Sequence, residues 1–380
     1  MSEVYITRIE KYLPNEPVPN EDMELYLGKI NGNNSKSKAI ILRNNRIKNR
    51  HYALDKDGNI THTNAQISAL AVRKVLGSDI AMDEVELLTA GTTSPDALQP
   101  AHALMVHGEL RSKPIEVMSA QGTCNSGMLS LKYAYMAIKA GEVSLAVNVA
   151  SETMSSWMHA RNFQDEIDKR LEIEQNPYIA FEKDFLRWML SDGSAAALMS
   201  NRPENGHLNL RIEWMDVKSW AGEIETCMYA GAIKENDGSL TGWRQMSHEQ
   251  QALESAFSMK QDAKLLQKHI IKTGILHLQQ IMAERKLDET TIDYFLPHLS
   301  SMFFRDQAIK GFAEAQIRIP EEKWFMNLPQ VGNVGAASAL LMLEELFHSE
   351  RLKSGDRLLV MVPESARFSY TYMLLTVVDK

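Results

Sequence analysis

Short apolar runs alternate with longer segments of helical spacing from one end of this chain to the other, and that rhythm admits few folds. Residues 4–9 read as a strand. Asn64–Leu76 then places Ile67, Leu70, Ala71 and Val75 on one helical face, with Asn64 as N-cap and Gly77 as stop. Further strand-like runs fall at 85–90, 115–119, 143–149 and 194–199, with helices from Ala101 and over 124–140 between them. The second half keeps the rhythm: a strand at 208–214, a long helix over 256–286, a strand at 294–296, a helix ending at Phe347 and a strand at 357–362. Strand alternating with helix predicts an α/β sheet protein. Both halves end in strand–turn–helix units with a chemically able residue at the turn. The expectation is a duplicated α/β architecture, divided into an N-terminal half, 1–204, and a C-terminal half, 205–380. Residues 157–188 are richer in charge and helix formers and read as an inserted cap over a pocket.

Bulk properties remove several function classes. A chain of 380 residues can bury more than one core. With 41 basic against 49 acidic residues, a net charge of −8 and no long Lys/Arg run, a nucleic-acid groove has no support. The N-terminus lacks the basic-then-apolar pattern of a secretory signal, and no uncharged apolar stretch of about 18 residues occurs, so no membrane span is expected. The two cysteines, Cys124 and Cys227, begin no metal-ligand spacing. A reducing cytoplasm and a protein without metal or redox cofactor are expected.

Three residues attract chemical attention. Cys124 lies in SAQGTCNSGMLSLKYA at a strand-to-helix junction, where helix N-terminal amides lower a thiol pKa. Gly122, Thr123, Ser126 and Gly127 leave room beside the sulfur. A buried structural cysteine is the commoner fate of a lone thiol. His298 follows the strand-like YFLP, at the carboxyl end of a strand where open α/β sheets place their chemistry; a surface histidine is the plain alternative. Asn333, in VGNVGAASAL, can donate to a developing oxyanion or simply cap the helix that follows.

In that order, Cys124, His298 and Asn333, together with GTTSPDALQPAHA, VNVASETMS, LSDGSAAALM and GNVGAASALLMLEELFHSERLKSGDRLLV, resemble β-ketoacyl-acyl carrier protein synthase III of the thiolase superfamily. The resemblance covers nearly the whole chain. It implies a five-layer αβαβα thiolase-like fold, a homodimer, and an acyl carrier protein with acyl and malonyl thioesters as partners. It also implies that Cys124 takes the acyl group as a thioester, while His298 and Asn333 promote decarboxylation of a malonyl thioester and hold its carbonyl oxygen. A condensing enzyme of fatty acid or polyketide-type biosynthesis is the leading expectation. Transfer of the acyl group from Cys124 to an oxygen or nitrogen nucleophile, or service as a silent ketosynthase partner, are the alternatives.

The chain also departs from the family pattern. The region AIILRNNRIKNRHY, with Arg46, Lys48 and Arg50, has no Trp where relatives that take acyl-CoA stack adenine. Ser301 stands in HLSS where the family has Asn, and is expected to contact the pantetheine arm. The C-terminal loop, glycine-rich in the family, reads VPESARFSYTYM, so Ser365, Ala366 and Arg367 are the expected backbone and substrate contacts. These departures resemble secondary-metabolism branches, including enzymes that form dialkylresorcinol precursors. Glu152 and Asp192 are expected to bind loop amides, the many Met residues to pack around a fatty chain or an ordinary core, and Arg305 and Lys310 to be solvated or to meet an acidic carrier.

Overall fold

The computed structural model describes residues 2–32, 34–35, 37–162 and 185–379. Nine principal strands are used below: β1 Tyr5–Tyr12, β2 Leu87–Thr92, β3 Glu116–Gln121, β4 Leu145–Glu152, β5 Gly193–Ser200, β6 Leu208–Ser219, β7 Tyr294–Pro297, β8 Arg357–Pro363 and β9 Ser369–Asp379. Six helices pack on them: α1 Asn64–Leu76, α2 His102–Leu110, α3 Ser126–Ala140, α4 Ala263–Arg285, α5 Met302–Glu314 and α6 Ser338–Phe347.

The strands run in the order β7-β8-β9-β6-β1-β5-β4-β2-β3. Within the sheet the two flanks are joined by the pairing of β1 with β6, over Tyr5 with Arg211 and Ile6 with Leu210. Strand side chains alternate in direction, and the alternation sorts them into layers. In the N-terminal flank Leu87, Ala146, Ala195 and Ala197 face a central core, while Leu88, Val147, Ala196 and Leu198 face α1 and α2. In the C-terminal flank Leu358, Val360, Met373 and Leu375 face the same central core, while Leu359, Met361, Tyr372 and Leu374 face α4 and α5. The central core is filled by α3 and α6. The layers are therefore helix, sheet, helix, sheet, helix, the thiolase-like arrangement.

A helix that is apolar nearly all round belongs in such a middle layer. Residues 338–344 of α6 are all buried, and truncating Leu341 to Ala there is expected to cost roughly 2–5 kcal/mol. The two middle helices also meet at backbone distance. A Cβ on Gly127 would lie 2.3 Å from the Ala336 carbonyl oxygen and 2.8 Å from the Ala150 Cβ, so only glycine fits at the start of α3.

Several sequence boundaries shift for identifiable reasons. The cap of α1 is Thr63, whose hydroxyl accepts from the Gln66 amide in a capping box, one residue before the expected Asn64. The long helix begins at Ala263 because Asp262 caps it and Lys260–Gln261 pairs with Met228–Tyr229. The 11-residue strand β9 was read as a loop in its first part; it is the strand that joins β8 to β6. The expected cap at 157–188 lies mostly outside the described residues, leaving only its ends, 157–162 and 185–188.

Candidate active site

Between β3 and α3 the chain turns at 122–125, and this turn carries Cys124, 7 % exposed. Its flanking side chains are bound to the opposite half. Thr123 donates its hydroxyl to the Glu364 carboxylate. The Asn125 amide donates to the Ser369 hydroxyl at 3.1 Å and its oxygen accepts from Thr371 at 2.6 Å. Burial, then the carboxylates of Glu364 and Glu152, push the Cys124 thiol well above its usual range. The sequence expectation of a thiol lowered by the helix terminus is thus overturned: α3 begins only at Ser126, and burial, with two carboxylates behind it, outweighs the helix. Cys124 rests as S–H.

Asn333 is held at the other middle helix. Its backbone N–H donates to Met189 at 3.1 Å, its carbonyl accepts from Ser191 at 2.9 Å, and its side-chain oxygen accepts from the Gly335 amide at 3.0 Å. Those bonds orient the amide, leaving Nδ2 as a donor that meets no acceptor among the described residues. His298 follows β7, as its Pro297 position predicts, and is anchored through its backbone N–H to Met361 at 2.8 Å. Burial lowers its pKa to about 4, so the imidazole is neutral at pH 7.

Cys124 and Asn333 open onto one pocket, together with Thr93, Thr123, Glu152, Gln261, Ser300, Gly335 and Ser365 on its polar side. Its apolar side is Met154, Met189, Met228, Met259, Leu186 and Leu190. The free space is narrow, ≈ 20 Å³, about the room for one water-sized group. His298 is not among the residues that line this pocket; it lies two residues before Ser300, which does.

The other expected contacts separate. Ser365 lines the pocket. Ala366 instead accepts from the Cys227 and Met228 amides through its carbonyl, at 2.7 and 3.1 Å, and the Arg367 side chain is exposed. Ser301 caps α5, accepting from Phe303 at 3.3 Å, and it is Ser300 that faces the pocket. One-residue placement in a turn depends on dihedral angles that composition does not carry. Thr93, Ser300 and Gln261 were missed; Thr93 lay in the turn GTTSPD, while Gln261 reaches the site through a two-residue strand with no sequence signature.

Glu152 is fully buried at the end of β4. It accepts from the amides of Thr93, Ser94 and Ala336 and the hydroxyls of Thr92, Thr93 and Ser94. Asp192 likewise accepts from the Ala53 and Ser155 amides at 2.6 and 2.8 Å. Both carboxylates bind loop amides, as expected. Arg305 pairs with Glu321 at 2.8 Å, while Lys310 lies 3.8 Å from Glu314 with both side chains largely exposed. Among the described residues no helix is long and apolar enough to cross a membrane.

Residues 282–375 match the family model for the 3-oxoacyl-[acyl-carrier-protein] synthase III C-terminal region. A β-ketoacyl-[acyl-carrier-protein] synthase III of Clostridium tetani (strain Massachusetts / E88) is 22% identical over 363 residues, covering 94% of each chain. Two solved structures share the fold. The tetronic acid condensing enzyme AbyA1 superposes with a TM-score of 0.76 at 19% identity, over 98% of this chain and 99% of its own. OleA of Xanthomonas campestris, solved with lauric acid and lauroyl-CoA, does so with a TM-score of 0.72 at 19% identity, over 98% and 99%. This chain is a thiolase-fold protein that resembles β-ketoacyl-acyl carrier protein synthase III along its length and carries that family's C-terminal signature.

Proposed function

We propose that the protein is a condensing enzyme in which Cys124 carries an acyl group and joins it to a malonyl or β-ketoacyl thioester on acyl carrier protein. The observation that carries this reading is the shared pocket: a thiol and an unengaged amide donor, Asn333 Nδ2, face one narrow space with a methionine-rich wall.

The chemistry follows from these groups. In loading, the Cys124 S–H displaces the donor thiol, which leaves with the proton, and the acyl thioester forms on the sulfur. The malonyl thioester then releases carbon dioxide, and its carbonyl oxygen gains charge as the enolate develops. Asn333 Nδ2 and the neutral His298 ring supply donors for that oxygen without adding a positive charge that would trap the enolate. The enolate carbon attacks the acyl–Cys124 carbonyl, the β-ketoacyl thioester departs, and the sulfur regains a proton. Ser365 N–H, which donates no hydrogen bond among the described residues, and Cys124 N–H, which lies beside the sulfur, suit the oxygen of the tetrahedral intermediate.

The substrate class is a fatty or polyketide-type acyl chain. Unbranched thioethers adapt to a guest chain, and Met154, Met189, Met228 and Met259 must part to admit more than a small group. Residues 1–204 and 205–380 act as duplicated halves in this reading. Among the described residues β3 pairs on one side, and its half-exposed outer edge suits continuation into a second copy, giving a homodimer. Neither Cys124 nor Cys227 is in a disulfide, which suits a reducing cytoplasm.

The test is intact-protein mass after incubation with medium-chain acyl thioesters, on CoA and on carrier protein, for wild type and Cys124→Ala, followed by a chase with malonyl carrier protein. An adduct confined to wild type and discharged with carbon dioxide release is expected. Discharge to an alcohol or amine without carbon dioxide moves the function to simple acyl transfer. No adduct from any donor leaves only the silent-partner reading.

A further inference from the structure

The loop after β8 contains a buried carboxylate, Glu364, 7 % exposed, in direct hydrogen-bond contact with the residue preceding Cys124. It accepts from the Thr123 hydroxyl, from the Ala366 amide at 2.9 Å and the Arg367 amide at 3.2 Å, and from the Ser369 amide and hydroxyl at 3.3 and 3.4 Å. A carboxylate offers about four lone-pair directions, so these donors fill it and leave none aimed at substrate. That occupancy separates positioning from proton transfer.

The pattern of bonds narrows the choice of amide. Along 365–369, the N–H groups of Ala366, Arg367 and Ser369 turn inward to Glu364, and those of Ser365 and Phe368 do not. Of these two, Ser365 lines the pocket with Cys124. The Thr123 bond and the paired Asn125 contacts fix the distance between this loop and the nucleophile turn.

We propose that Glu364 is a positioning residue that clamps the nucleophile turn to the 364–369 loop, so that the Ser365 and Cys124 amides form one oxyanion pocket beside the sulfur. The cost of this arrangement is a negative charge near the thiol. Glu364 and, second to it, Glu152 from the end of β4 both bear on Cys124 and oppose its ionisation. The clamp therefore trades resting thiolate for a preorganised intermediate site, and it deepens the condensing-enzyme reading above, on which its catalytic part rests.

Two rates on the full chain separate this role from a merely structural one. The first is Cys124 alkylation by iodoacetamide against pH, followed by peptide mass, which needs no oxyanion stabilisation and no substrate. The second is acyl loading from a carrier thioester. In Glu364→Gln the loss of charge is expected to raise alkylation at pH 7 about tenfold and move its profile to lower pH. Loading is expected to fall about 100-fold in kcat with KM within twofold. The urea midpoint and the protection of buried Cys227 report whether the fold survives. If the Gln variant unfolds, Thr123→Val serves: it keeps the charge, so loading falls about tenfold with alkylation unchanged, and Thr123→Ser restores loading. Wild-type loading in folded Glu364→Gln or in Thr123→Val overturns the proposal, as does a Ser variant no better than Val. A wild type that never loads refutes the condensing function instead, while the alkylation profile still reports the charge of Glu364 on Cys124.

Discussion

The turn at Cys124 and the turn at Asn333–Gly335 sit at equivalent places, each at the start of a middle helix, yet they are secured differently. Both are held by a glutamate from the opposite half. Glu364 grips the first through a side-chain hydroxyl, Thr123, whereas Glu152 grips the second through a backbone amide, Ala336 at 2.9 Å. The first tie depends on residue identity and can be tuned by one substitution. The second is set by chain path, because a Cβ on Gly335, whose φ is +46°, would fall 2.6 Å from the Glu152 carboxylate. One turn is adjustable; the other is built in.

The largest expected effect breaks the backbone-held side. Glu152→Ala strands donors from Thr92, Thr93, Ser94 and Ala336, and leaving buried donors unpaired costs about 1–3 kcal/mol each before relaxation. A loss of at least about 3 kcal/mol, read from the urea midpoint, is expected; a loss under about 1 kcal/mol would mean that water replaces the carboxylate and that the turn does not depend on it. Next comes Asn333→Ala, expected to slow carbon dioxide release roughly 100-fold or more while acylation of Cys124 proceeds. Equal slowing of both steps would place Asn333 in scaffold rather than in enolate stabilisation.

Smaller effects sharpen the contrast through pH. Because burial lowers the His298 pKa to about 4, condensation is expected to hold its rate from pH 7 to about 5 and to show its acidic limb nearer 4 than 6.5. A limb at 6.5 in single-turnover measurements would mean an exposed imidazole. His102 tests the same physics away from the chemistry. Its ring lies between Ser68 and Ser151, at 3.3 and 3.1 Å, and burial lowers its pKa to about 4. Since the folded value lies below the unfolded 6.5, the unfolded chain takes the proton first. Its contribution to stability is whole above pH 6.5 and is lost as pH falls toward 4. A folded His102→Gln variant is expected to lose less stability than wild type between pH 7 and 4.5, by an amount on the order of 1–3 kcal/mol; identical slopes would show the ring to be hydrated.

What could be read before folding follows the same division. The helix Asn64–Leu76 was legible because its apolar face and its stop agree, although its cap is Thr63 and not the expected Asn64. The reactive candidates were legible as residue types at turns, since such turns at strand ends are local. The 11 residues of β9 were obscured because Glu364, Ser365 and Arg367 make the approach to the strand look like a loop, and only pairing to β6 and β8 fixes its start at Ser369. The raised thiol was illegible for a stronger reason: its burial is made by distant segments, and Glu364 and Glu152, which add to it, are 240 and 28 residues from Cys124 in sequence (364 − 124 and 152 − 124). Helix position was visible locally, and the opposing charges were not.

The contact at Gly127 carries a further consequence for motion. Where the nucleophile helix touches the Ala336 carbonyl with no side chain between, there is no compliant layer to absorb a local opening. Amides at the start of α3 are therefore expected to exchange with deuterium only when the two halves separate, at the free energy of global unfolding. The surface helix α2 should exchange earlier. If Cys124 carries the acyl group as proposed, its sulfur rides beside a rigid contact, and substrate access is expected to come from the pocket walls.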